Sequence, residues 1–199
     1  MSGKNTDWKR LVDFFFEVGM LKKTPRTGYQ FLGSGKENVA EHSFRTAVIG
    51  LVLADLNGAD KYKMLVMCLF HDMHETRTGD FNYVNRLYNT ADQTRALADA
   101  LDGVGIEEEI KKFFFELEEA DSLESKLAQD ADQLDFILEL KEQLESGNPA
   151  ASKWLDCAVE RLRTDSGRRL ARQILDTHPS EWWFSLADRS WWTRGNGKE

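Results

Sequence analysis

The sequence predicts an all-α protein, a compact bundle of many helices, and three observations carry that prediction. Apolar residues recur at the three- and four-residue spacing of a helix along most of the chain. No convincing alternation of apolar and polar residues marks a strand. Only three prolines occur, Pro25, Pro149 and Pro179, so helices have long stretches in which to run unbroken.

A first helix is expected from about Thr6 to Met20, because Leu11, Phe14, Phe15 and Val18 share one face. A basic, turn-rich connection from Lys22 to Tyr29 follows, then Gly33-Ser34-Gly35. The second helix covers about Val39 to Leu56 and stops at Asn57-Gly58. The third, about Lys61 to His74, is apolar from Met64 to Phe70 and should lie deep in the core. Thr78-Gly79-Asp80 breaks the pattern before a short aromatic segment holding Phe81, Tyr83, Leu87 and Tyr88. Helical patterns resume at about Ala91–Leu101, Ile106–Glu118, Ser122–Leu144, Ala150–Arg163 and Ser166–Thr177. The segment from Pro179 to Trp192 is rich in tryptophan. Trp182, Trp183, Trp191 and Trp192 are expected to pack onto the domain or a partner. A single domain over residues 1–194 is expected, with C-terminal helices in 150–192 and a disordered tail at 195–199.

A chain of 199 residues buries enough surface to fold without disulfides or a structural metal. Its 41% hydrophobic and 30% charged residues are those of a globular protein. A net charge of −8 repels polyanions, which argues against coating DNA or RNA. One small phosphorylated ligand is compatible with that charge, because a local cluster of arginine and lysine can hold it. Cys68 and Cys157 sit in apolar surroundings far apart and are expected as reduced core residues of a cytoplasmic protein. No apolar run is long enough to span a bilayer, and the polar segment Met1–Arg10 is not followed by a secretory signal.

Of the four histidines, His42, His71, His74 and His178, two stand out. His71 ends the apolar run Met67-Cys68-Leu69-Phe70 and is followed by Asp72. A buried carboxylate needs a partner, and a divalent cation or a hydrogen-bonded pair would serve. His42, near the start of the second helix, could converge on the same ion. A further carboxylate would come from Asp130-Ala131-Asp132. The apolar positions Leu123, Leu127, Leu134 and Leu138 place Asp130 near the core stripe and Asp132 opposite it. Two imidazoles and two carboxylates suit Mn, Fe, Co, Ni or Zn, and Mg less well. On spacing alone, a core hydrogen-bonding pair at His71-Asp72 and a surface His42 fit equally.

Four ordered motifs change that balance: Val39-Ala40-Glu41-His42-Ser43, then His71-Asp72-Met73-His74-Glu75, Thr78-Gly79-Asp80, and Asp130-Ala131-Asp132. Together, over about Leu21 to Leu144, they resemble the HD-domain metal-dependent phosphohydrolases, nearest to the 5′-deoxynucleotidase subfamily. The resemblance implies a compact HD-domain helical bundle with core motifs in residues 21–144. It implies His42, His71, Asp72 and Asp132 as ligands of one divalent metal ion. The family's last aspartate precedes an apolar residue by two positions, as Asp132 precedes Leu134, which sets Asp132 ahead of Asp130.

The resemblance further implies Glu75 and Asp80, which match the family's carboxylates, as the catalytic residues. They would take a proton from the attacking water and give one to the leaving alkoxide. Lys23-Thr24-Pro25-Arg26-Thr27-Gly28-Tyr29 resembles a substrate-binding segment, with Arg26 on the anion. Some bacterial members carry Arg-Trp where this chain has Lys23-Thr24. Arg77 is a second substrate-binding candidate, alongside the plainer reading of a surface ion pair. His74 is expected to be supporting, since the additional downstream histidines of two-metal relatives are missing apart from His178. The implied function is hydrolysis of (deoxy)ribonucleoside 5′-monophosphates to nucleoside and phosphate by a homodimer, with no nucleic-acid polymer and no membrane as partner. The alternatives are another HD-type phosphohydrolase acting on cyclic nucleotides or alarmones, and a non-catalytic, metal-stabilised interaction protein.

Overall fold

A computed structural model describes residues 6–194. In chain order its helices are α1 (Trp8–Val18), a 3₁₀ turn (Gly19–Lys22), α2 (Tyr29–Leu32), α3 (Val39–Asn57), α4 (Lys61–Phe70), α5 (Glu75–Thr78) and α6 (Tyr83–Tyr88). There follow α7 (Gln93–Leu101), α8 (Glu107–Glu119), α9 (Leu123–Glu145), α10 (Ala150–Glu160), α11 (Asp165–Asp176), α12 (Glu181–Phe184) and α13 (Arg189–Thr193). Among the described residues the fold is all-α. The nearest thing to a strand is one antiparallel bridge between Pro25 and Asn38. No helix of the described residues is long and apolar enough to cross a membrane.

The bundle is built around α9, which packs against α3, α4, α8, α10 and α11. It therefore buries residues on several faces: Leu127, Ala128, Ala131, Leu134, Ile137 and Leu140, together with Asp130 and Asp135. A second apolar cluster joins Phe14, Leu21, Val39, Met73, Leu97, Leu101, Ile110 and Phe114 below α4. Helices α3 and α4 form an antiparallel pair whose approach depends on Gly50. A Cβ there would lie 2.5 Å from the Cys68 sulfur, so a larger residue would push the two helices apart.

The start of α3 is fixed by a capping box. The Glu41 backbone N–H donates to Asn38 Oδ1 at 3.0 Å, and the Asn38 N–H donates to Glu41 Oε2 at 3.0 Å. This sets His42 on the first turn, facing the bundle. The expected third helix stops early. The chain leaves regular α geometry at Phe70 and continues through tighter i→i+3 hydrogen bonds, Met73 to Phe70 and Glu75 to Asp72, before α5. The His71 ring contributes, because its Nδ1 donates to the Cys68 carbonyl at 2.9 Å, the acceptor that residue 72 would use in a continuing α-helix.

Three other expectations are corrected. Phe15 is exposed: α1 meets the bundle along one narrow side that takes Phe14, and Phe15 lies 100° further round. Cys157 is exposed and free, because α10 turns Ala151, Leu155 and Ala158 inward and leaves the opposite face to solvent. Of the two packings expected for the tryptophan-rich segment, onto the domain or onto a partner, the described residues do not show the first. The segment's rings cluster on one another, with Phe184 stacked on Trp192 at 5.0 Å and Trp191 edge-on to Trp192 at 4.5 Å, while Trp182 and Trp191 stay exposed. The tail expected at 195–199 lies outside the described residues.

Candidate metal centre and its cleft

Helices α3 and α9 and the end of α4 bring His42, His71, Asp72 and Asp132 to one point. His42 Nε2 lies 3.1 Å from His71 Nε2, 3.1 Å from Asp132 Oδ1 and 3.6 Å from Asp72 Oδ2. His71 Nε2 is 3.1 Å from Asp72 Oδ2 and 3.9 Å from Asp132 Oδ1. Bonds of about 2.0–2.2 Å to one cation at 90–110° hold ligand atoms about 3.0–3.5 Å apart, so most of these spacings fit a single small coordination sphere.

The ring nitrogens on the far side settle which electrons face that point. The Cys68 carbonyl can only accept, so His71 Nδ1 carries the proton of the neutral ring and Nε2 offers a lone pair. His42 Nδ1 is 2.6 Å from Asp135 Oδ2, again an acceptor, which turns its Nε2 into a ligand in the same way. Two imidazole lone pairs and two carboxylates thus converge, a donor set that fits a divalent cation.

The carboxylates also draw protons to the rings. Burial would lower both, but Asp132 and Asp135 push His42 up to about 10 and Asp72 raises His71. Binding a cation would therefore displace a proton from each imidazole. Burial would raise the Asp72 carboxyl, but His71, His42 and Arg26 outweigh it and hold Asp72 well below the usual carboxylate range. Burial works on Asp132 likewise, and hydrogen bonding and charge from His42 bring it down to about 2.

The cleft beside this cluster is lined by Arg26, Glu75, Asp80 and Gln133, with an aromatic wall further out. Arg26 is placed by a short backbone pairing of its loop with the start of α3. Its N–H donates to the Glu37 carbonyl at 2.9 Å, and the Val39 N–H to the Thr24 carbonyl at 3.0 Å. Its guanidinium reaches Asp72 Oδ2 at 3.3 Å. Asp80 is held from the same loop, accepting at Oδ2 from the Thr27 N–H at 2.5 Å and the Thr27 hydroxyl at 3.0 Å. Glu75 is 4% exposed, and its Oε2 has no hydrogen-bond partner among the described residues. Burial, reinforced by Asp72 and Asp80, pushes its carboxyl up to about 9.

The family model for the HD domain matches residues 18–173. The chain belongs to the HD-domain family. A 5′-deoxynucleotidase HDDC2 of Danio rerio is 29% identical over 147 residues, covering 70% of this chain and 72% of that protein. The Mus musculus protein of the same name is 30% identical over 139 residues, 66% of this chain and 69% of that one. A conserved hypothetical protein from Pyrococcus furiosus, known from a solved structure, is 31% identical and superposes with a TM-score of 0.68 over 83% of this chain and 99% of its own. The chain is an HD-family hydrolase of the metal-dependent phosphohydrolase type, and its His/Asp cluster could bind a metal.

Within this HD domain the two aspartates that compete in the sequence part company. Asp130 is fully buried, as the helical wheel suggests, but it faces away from the cluster. It accepts from the Arg163 N–H at 2.7 Å, the Thr164 N–H at 2.9 Å and the Thr164 hydroxyl at 2.5 Å. Asp132, which is partly exposed, turns to the imidazoles. Arg77 is not brought to the cleft: it pairs with Glu17 at 2.5 Å and with Asp99 at 3.7 Å on the outer surface. His74 is buried edge-on against Phe114 with Nδ1 unpartnered among the described residues, and burial lowers its pKa. Its nitrogen also falls within 4.8 Å of ligand atoms of Asp72 and Glu75.

Sequence reasoning missed the support behind His42. Asp135 bridges the His42 ring to Arg45, whose guanidinium also binds Glu139, and Glu139 in turn accepts from the Tyr29 hydroxyl. The signal was present: Asp132, Asp135, Glu139 and Glu142 recur at i, i+3, i+7 and i+10, an acidic stripe along an otherwise apolar helix.

Proposed function

We propose that the protein hydrolyses nucleoside 5′-monophosphates, of the deoxyribose or ribose series, to nucleoside and phosphate, within one domain spanning 1–194. The observation that carries this reading is the convergence of two imidazoles and two carboxylates beside a partly buried arginine and a buried glutamate in one cleft. His42, His71, Asp72 and Asp132 would hold one divalent cation, and such an ion supplies Lewis-acid polarisation of a phosphoryl oxygen and acidifies water. Arg26 pairs with the remaining phosphoryl oxygens and orients the ester. Glu75 and Asp80 handle the two protons that hydrolysis must move, one from the attacking water and one to the leaving 5′-oxygen. Thr27 fixes Asp80 through Oδ2 and leaves Oδ1 to face the substrate. The names of the similar 5′-deoxynucleotidases support the same substrate class.

A second reading, a phosphodiesterase, is favoured by one observation. A further cavity, of about 580 Å³, adjoins the cluster on its other side. It shares Asp72, Glu75, Asp132, Gln133 and Arg161 with the cleft and extends to Arg163, giving room for a second substituent on phosphorus. A homodimer belongs to the proposal as well. The outer face of α3, where Phe44, Val48, Val52 and Leu56 stay exposed, offers it a surface, and sedimentation measures it.

The test is phosphate release over a panel of ribo- and deoxyribonucleotides and cyclic nucleotides, with Mn, Co, Mg, Zn or chelator. Turnover of a monophosphate that disappears with EDTA and with Asp72→Ala is the expected result. Activity surviving both treatments sinks the metal mechanism. Turnover of cyclic substrates alone selects the second reading.

A further inference from the structure

The cleft continues outward from Arg26 and Asp80 into a cavity of about 170 Å³ whose far wall is aromatic. Phe81 and Tyr83 come from the loop before α6 and from α6 itself, Phe136 from α9, and Trp154 from α10. The rings are packed on one another: Tyr83 is edge-on to Trp154 at 5.9 Å, and Phe136 is tilted against Trp154 at 6.1 Å. Trp154 also borders the loop that carries the anion-handling residues, since a Cβ on Gly28 would lie 3.7 Å from its Cζ3. Gly28 is two residues from Arg26 and adjacent to Thr27, which holds Asp80. The aromatic wall is therefore tied directly to the end of the cleft that would hold the phosphoryl group.

Tyr83 is held from behind. The Arg161 guanidinium lies 5.0 Å from its ring centroid and donates to its hydroxyl. Tyr83 nevertheless remains about half exposed and lines the cleft. Gln133 lies between the wall and the cluster, its side-chain N–H₂ donating to Asp132 Oδ2 at 3.0 Å. Its amide oxygen is buried with no partner among the described residues. A flat, apolar-faced group with donors on its edge satisfies both features, because it stacks on the rings and offers a hydrogen bond to the orphaned carbonyl.

We propose that this aromatic cavity is a nucleobase subsite, with Trp154 as its main stacking surface and Tyr83 and Phe136 as its sides. The inference rests on the monophosphatase reading above and deepens it. The preferred substrate carries a planar heteroaromatic base, and preference among bases is weak because every base has a stackable face. It places a specificity-determining residue on α10, beyond the ordered motifs at 39–132.

The experiment compares kcat/KM for a deoxynucleoside 5′-monophosphate with that for 2-deoxyribose 5-phosphate, the same ester without a base. Loss of one stacking partner lowers the nucleotide-to-sugar-phosphate ratio about tenfold in Trp154→Ala, mainly through KM. Trp154→Phe should restore much of the ratio. Tyr83→Ala, on a half-exposed helix, gives an independent and smaller drop, so the inference remains testable if Trp154→Ala does not fold. A ratio that stays at the wild-type value in the folded variants overturns the subsite. If the wild-type enzyme hydrolyses neither ester, the monophosphatase reading fails and this subsite with it. Wild-type turnover of both esters at equal efficiency sinks the subsite alone.

Discussion

Two faces of α9 carry aspartates only two residues apart, and they do opposite work. Toward α3 and α4 the helix presents Asp132 and Asp135, one toward the imidazole lone pairs and the other behind the His42 ring. Toward α10 and α11 it presents Asp130, whose carboxylate closes the turn at Arg163 and Thr164. The first face leaves a carboxylate partly open and surrounded by positive or metal-seeking groups. The second seals a carboxylate completely with three donors from one turn. Burial alone thus does not mark a functional acid. The nature of the partners does: fixed backbone N–H groups satisfy an anion for good, whereas lone pairs facing a carboxylate leave room for a cation.

The comparison can be broken, starting with the largest effect. Asp132→Ala should lower kcat/KM by about a thousandfold or more, with little change in the melting of the metal-free protein. Comparable activity in this variant would show that the open face does not carry the chemistry. Glu75→Gln keeps the shape of the buried side chain but removes its proton exchange. Steady-state assays should show kcat down by about 10²–10⁴ with metal content unchanged.

Asp135→Asn keeps the residue volume but weakens the hold on His42 Nδ1. Titration calorimetry should find metal affinity reduced by about 10–100-fold, a loss that Asp130→Asn should not share. Asp130→Ala leaves three donors of the 163–164 turn unpaired. Urea unfolding should show a loss of about 3 kcal/mol, while the folded fraction keeps its specific activity. If Asp130→Ala also abolishes metal binding, the two faces are not separate. The smallest effect belongs to Arg77→Ala, where an exposed ion pair with Glu17 should be worth about 1 kcal/mol or less, with KM unmoved.

Much of this was legible in the residues. The run of helices and the ordered motifs pointed to the bundle and to His42, His71, Asp72 and Asp132, which the fold brings together. The wheel argument for Asp130 read its burial correctly, but periodicity reports which residues leave water, not which neighbour receives them. For Asp130 that neighbour is 33 residues away in sequence. The same limit applies to Arg45 and Trp154, whose partners are set by how α3 and α10 dock on α9. Cys157 and Phe15 were misread for a simpler reason: an apolar residue next to a core position is 100° round the helix from it, and α1 and α10 each bury one side only.

The clamp on Asp130 also bears on how such a chain can diversify. It closes a loop that runs from Asp130 along the rest of α9 and back through α10 to Thr164; Trp154 and Asp132 lie inside that loop, while His42, His71 and Asp72 lie outside it. Within it α10 commits Ala151, Leu155 and Ala158 to the core and leaves Trp154 at the cleft. Under the proposed subsite, substitution at position 154 alone would reshape what the cleft accepts while the core side of α10 keeps α9 and its aspartates in place. In such a layout, inheritance can conserve the reaction and vary the substrate independently.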